Sequence, residues 1–206
     1  MRISKYIIVV WIGLLSASAS LSQPSRPNER GKYAYLEIMH ESQSPDLCLP
    51  TCVAMAMNYY GDGKTQWTLK RLSNEHKDLF STTTFEEVQS GIKKIGYTWD
   101  RWRWHNDSAG FHNAISALQQ SLDDKRPVIV SIKVPVPNNR LELYHAMLVF
   151  GYDQEKGKIF ILDPARPFPG KRIMTFDELR QMWNENGILY CMFTAKGGDV
   201  PTGHPR

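Results

Sequence analysis

The chain has 206 residues, 25 lysines and arginines against 21 acids, and a formal net charge of +4. That length suits about one domain, and the basic residues are dispersed among acids rather than gathered on one stripe, which argues against nucleic acid as a partner. Three cysteines are an odd number, so at least one thiol stands outside any intrachain pair.

Residues 1–19 read as a signal peptide: Arg2 and Lys5 precede the apolar run IIVVWIGLL, and Ala17-Ser18-Ala19 supplies a small-residue cleavage signal. The run is too short for a stable transmembrane anchor. The expected product is exported, periplasmic or extracellular, with no stable membrane insertion once the signal is removed. Residues 20–32, polar and proline-bearing, read as a flexible mature N-terminus, residues 33–196 as the folded domain, and residues 197–206 as a flexible tail.

In the domain the first predicted helix opens at Cys48 in DLCLPTCVAMAMNYYG, with Pro50 in its first turn and Gly61 as its stop. LKRLSNEHKDLF reads as a second, shorter helix. Thr84 caps FEEVQSGIKKIGY, and Glu87 three residues on completes a capping-box pattern. The segment TWDRWRWHNDSAG has no assigned element; the alternation of Trp99, Trp102 and Trp104 suggests an aromatic strand face, packed in the core or lining a cleft. Phe111 to Leu122 is helical, with Ile115 and Leu118 at helical spacing. Strands follow at RPVIVSIKVP, YHAMLVFGYD and KIFILDP, the last two joined by a hairpin with Gly157 at its turn. TFDELRQMWN is a short helix capped by Thr175 with Glu178 at the box position, and ILYCMFTA is the final strand. Helices first and antiparallel strands after them give an α+β class, N-terminal helices packed on a mainly antiparallel sheet.

That order puts Cys48 at a helix mouth, His145 at the start of one strand and Asp163 at the end of the next. Each residue type has a chemical use there. A thiolate is the nucleophile, and a helix N-terminus beside an imidazolium lowers a thiol pKa. A carboxylate orients the imidazole and favours its charged form. The plainer readings are a buried small hydrophobe for Cys48, a strand-end histidine and an Asp-Pro turn residue. Cys52, one turn inside the helix, reads as core; Cys52 and Cys191 both sit in apolar surroundings and are the pair expected if any closes, while a Cys48–Cys52 bridge within one helical turn would be strained. His40, His76, His105 and His112 lack partners at metal-ligand spacing, so neither a metal nor a cofactor is expected.

QSPDLCLPTCVAMAMNYYG, YHAMLVFGYD, ILDPARP and MTFDELRQMW together resemble the bacteriocin-processing, double-glycine-type cysteine peptidases and their stand-alone relatives, over most of residues 43–185. The resemblance implies a papain-like fold and a peptide or protein substrate. It implies Cys48 as nucleophile, His145 as base and Asp163 as orienting acid. Gln43 matches the glutamine whose amide holds the oxyanion in that family. Two departures stand out: Leu49 occupies the usual glycine position after the cysteine, and Gln43 sits one residue off the usual spacing. The reading is therefore a cysteine hydrolase, most simply a peptidase, with two alternatives open: a papain-fold peptide-binding or accessory module, and acyl transfer by the same residues. Substrate and oligomeric state are left open.

Overall fold

The computed structural model describes residues 31–73, 82–134, 143–183 and 189–195. The expected signal peptide, most of the flexible leader, the tail and the second half of the LKRLSNEHKDLF helix lie outside them. Strand β1 (Tyr33–Tyr35) is followed by helices α1 (Cys48–Tyr59), α2 (Gln66–Ser73) and α3 (Phe85–Lys93). Then come β2 (Trp99–His105), α4 (Ser108–Asp123), β3 (Val128–Val134), β4 (Leu143–Asp153), β5 (Lys158–Leu162), β6 (Lys171–Thr175), α5 (Phe176–Met182) and β7 (Leu189–Ala195).

The strands form one sheet in the order β2-β7-β3-β4-β5-β6, antiparallel at every neighbour, with β1 continuing β3's side of β4. The α+β expectation therefore holds, and both capping boxes form: Thr84 accepts from the Glu87 N–H, Thr175 from the Glu178 N–H, and each glutamate reaches back. Gly157 takes φ +61° at the β4–β5 turn, a conformation glycine adopts without strain.

Helix α1 is the centre of the molecule. Its residues from Leu49 to Met57 are all buried, and apart from Thr51 they are apolar or weakly polar, as in a helix enclosed by protein. It packs on α2 and on β4. Its N-terminus meets the first half of β4, which stays paired with β3 but extends past the last β4–β5 pair, Leu148↔Leu162.

Two expectations need correction. The unassigned tryptophan segment is strand β2, but its tryptophans do not share a face. Trp99 is fully buried, whereas Trp102 and Trp104, two positions apart on the opposite face, stack at 6.3 Å between ring centroids and Trp102 is half exposed. Cys52 is a free thiol, so the expected bridge to Cys191 does not form. Its Sγ–H instead donates to the Ala146 carbonyl at 3.4 Å.

Candidate active site

Cys48 is the first residue of α1, and the helix cap at Leu47 has no side-chain hydrogen bond. The first-turn N–H groups thus retain their positive end for the site. Two residues of β4 face this turn. His145 supplies its imidazole, and the Ala146 backbone supplies both of its polar groups: its N–H toward the Cys48 sulfur and its C=O to the Cys52 thiol. One residue of β4 in this way contacts both cysteines of α1.

His145 Nε2 lies 2.8 Å from Asp163 Oδ1, which leaves Nδ1 for the thiol. Asp163 is buried at the end of β5 and is well supplied with donors. Oδ1 accepts from the Ala165 N–H at 3.1 Å, and Oδ2 from Arg172 Nη1 at 3.2 Å, with Arg166 Nε at 3.7 Å. Its backbone is held as well. The N–H donates to the Gly170 carbonyl at 2.9 Å, and the carbonyl lies 3.0 Å from His40 Nε2.

The electrostatics follow from this packing. Burial alone would raise the Cys48 pKa, but hydrogen bonding with His145 and from the Ala146 N–H, the imidazolium charge and the Leu49 N–H outweigh it, and the thiol falls below its ordinary value. Burial alone would lower the His145 pKa; the Asp163 hydrogen bond and then Cys48 overcome it and raise the imidazole to about 9. Burial likewise opposes ionisation of Asp163, and the His145 hydrogen bond and charge, the Ala165 N–H and Arg172 hold it below the usual carboxylate value. The three groups therefore favour thiolate, imidazolium and carboxylate together. Cys52 is the reverse: complete burial, then the charges of Cys48 and Asp163, push its thiol far up and keep it neutral.

Gln43 lies in the segment between β1 and α1, its N–H donating to the Pro164 carbonyl at 2.8 Å, next to Asp163. Its side-chain Oε1 is buried without a hydrogen bond. Leu49 is buried, so the residue standing in the usual glycine position turns its side chain against the core and one wall of the adjoining cavity. That cavity, about 410 Å³, opens beside Cys48 and runs between α3, β2 and the β3–β4 pair, where Ser131, Tyr144 and Ala146 meet Phe85, Arg101 and Arg103. Among the described residues no group of three His, Cys, Asp or Glu side chains is arranged to hold a metal.

Cys48, His145 and Asp163, the residues picked out by spacing and strand order, thus come together, and Gln43 lies beside the acid's loop. Sequence reasoning missed Arg172 and His40. Arg172 and His40 reach Asp163 from a neighbouring strand and from a loop 123 residues away, and no spacing rule links them to it.

Residues 35–190 match the model of the Peptidase_C39 like family, which is more than half of the chain. Among curated proteins nothing matches. Among solved structures, a double glycine motif protease from an AMS/PCAT transporter, in complex with the leader peptide, superposes with a TM-score of 0.54 at 15% identity, covering 79% of this chain and 95% of that one. Xylellain, a cysteine protease from Xylella fastidiosa, gives a TM-score of 0.52 at 12% identity over 80% of this chain and 85% of its own. At such identities the likeness carries the fold, which is papain-like. The family match carries the rest: this chain belongs to the Peptidase_C39 like family and is a cysteine peptidase-like hydrolase.

Proposed function

We propose that the chain is an exported cysteine peptidase in which Cys48 is the nucleophile, His145 the base and acid, Asp163 the orienting carboxylate and Gln43 an oxyanion donor. The observation that carries this reading is the 2.8 Å contact between His145 and Asp163 beside a thiol whose pKa is lowered by that same histidine. The Cys48 thiolate attacks the peptide carbonyl carbon. The negative charge that develops on oxygen is met by the N–H at the mouth of α1 and the Gln43 amide. The His145 imidazolium gives its proton to the departing amine, the C–N bond breaks, and a thioester remains. Neutral His145 then takes a proton from water, whose oxygen displaces the thiol.

A peptide substrate is supported by the family match and by the fold neighbour solved with a leader peptide. Export rests on the pattern of residues 1–19. The test is alkylation of Cys48 by iodoacetamide across pH, beside His145→Ala. Rapid labelling well below the free-thiol pKa of about 8.5 that is lost in the variant supports an activated pair. A thiol indifferent to His145 sinks the triad and favours the peptide-binding module.

A further inference from the structure

Gln66 is the first residue of α2, buried, and its side chain takes no part in capping that helix; Thr65 does so, accepting from the Thr68 N–H. All of its hydrogen-bonding capacity is directed elsewhere. Nε2 donates to Glu41 Oε1 at 2.9 Å and to the Ser42 carbonyl at 3.1 Å. Oε1 accepts from the Ser44 N–H at 2.8 Å and lies 3.1 Å from the Thr51 hydroxyl, which also faces the Leu47 carbonyl at 2.7 Å. The orientation of the amide is dictated by these partners. Flipped, its oxygen would face a carboxylate and a carbonyl, and its NH2 would face an N–H.

The Ser42 carbonyl and the Ser44 N–H flank Gln43. The Gln66 amide therefore pairs with the backbone on both sides of that residue, as a strand would, while the Gln43 N–H is taken by Pro164 on the other side. Three hydrogen bonds fix the direction in which Gln43 leaves the chain. Through Thr51 the same amide is joined to α1, one turn beyond Cys48.

We propose that Gln66 is a positioning residue of the oxyanion site: by bracketing the backbone of Gln43 and lying against the Thr51 hydroxyl, it sets the Gln43 amide relative to the Cys48 sulfur. This rests on the reading of Gln43 as the oxyanion donor. A buried amide with every donor and acceptor used is a rigid spacer, and a donor acting on a developing charge has to be held in place before the charge appears.

The experiment compares two reactions of the same thiol. Acylation by p-nitrophenyl acetate passes through an oxyanion; alkylation by iodoacetamide does not. Rates are measured for the wild type, Gln66→Met, Gln43→Ala and the double variant, with Cys48→Ser as the blank. Gln66→Met is expected to slow acylation roughly tenfold or more and to leave alkylation within about twofold. On the Gln43→Ala background it is expected to change acylation by less than about twofold, because it acts through that residue. Equal slowing of both reactions, undiminished loss on the Gln43→Ala background, or unchanged acylation each overturns the proposal. If Gln43→Ala alone leaves acylation unchanged, the oxyanion reading falls and this proposal with it, while the role of the Cys48–His145 pair stands on its own alkylation test. Should Gln66→Met fail to fold, Gln66→Glu, which keeps the acceptor and loses the amide donor, is read by the same criteria.

Discussion

Replacing Gly170 by alanine probes how the loop behind Asp163 is held. Gly170 has φ +60°, and a β-carbon there would lie 2.0 Å from His40 Nε2 and 2.1 Å from its Cδ2. The left-handed backbone costs an L-residue roughly 1–2 kcal/mol. The ring must also move, and moving it gives up its hydrogen bond to the Asp163 carbonyl, about 0.5–1.5 kcal/mol more. The sum, about 1.5–3.5 kcal/mol, is expected to lower Tm by roughly 3–14 °C for a domain of this size, read by thermal unfolding followed by circular dichroism. Adding His40→Ala removes the clash but not the backbone cost, so the double variant is expected to lose less than the two single losses added. A Gly170→Ala protein that melts with the wild type, or strict additivity with His40→Ala, would refute the close packing on which this reasoning depends.

Other consequences can be checked in parallel. Asp163→Asn removes the main support for the imidazolium, so the alkaline limb of Cys48 alkylation, expected near the His145 value of about 9, moves down toward an ordinary histidine. The stability lost in that variant is largest between about pH 5 and 6.5. It narrows as pH rises through about 9, where His145 loses its proton, and also in acid, where Asp163 gains one. Native protein treated with iodoacetamide near neutral pH is expected to carry label on Cys48 and none on Cys52 by peptide mass mapping, since the latter is fully buried and held neutral. Thr84→Ala, which deletes a capping box, is expected to cost about 1 kcal/mol in denaturant unfolding without changing Cys48 reactivity.

What could be read from the sequence was whatever has a local signature. Cys48 before Leu49-Pro50, the two Thr-x-x-Glu boxes and the Gly157 hairpin each follow from chemistry within a few residues, and each appears where expected. The apolar runs of β3, β4 and β5 were equally plain. β2 was not, because its inner face joins Trp99 to the salt-bridged Arg101 and Arg103 and so carries no simple apolar alternation. β6 hides for a similar reason: of its five residues only Met174 is buried. Whether Cys52 pairs with Cys191 was left open by the sequence, because a cysteine in apolar surroundings is as well satisfied by a carbonyl as by a partner sulfur; Cys52 is a free core thiol, and Ala146 provides the carbonyl. Gln66, His40 and Arg172 act on the site only through folding, and a residue whose purpose is a contact far along the chain leaves no mark on its neighbours.

The last of the described strands does not lie at an edge of the sheet. β7 runs between β2 and β3, pairing with β2 along all seven of its residues and with β3 over Val128 to Val130. β3 to β6, which bear His145 and Asp163, are already contiguous without it. The residues up to α5 thus include every member of the proposed triad, whereas β2, with Arg101 and Arg103 on the cavity wall, is paired among the described strands with β7 alone. Loss of the residues from 189 onward would remove the strand that flanks β2, so this wall of the cavity depends on a later stretch of the chain than Cys48, His145 and Asp163 do.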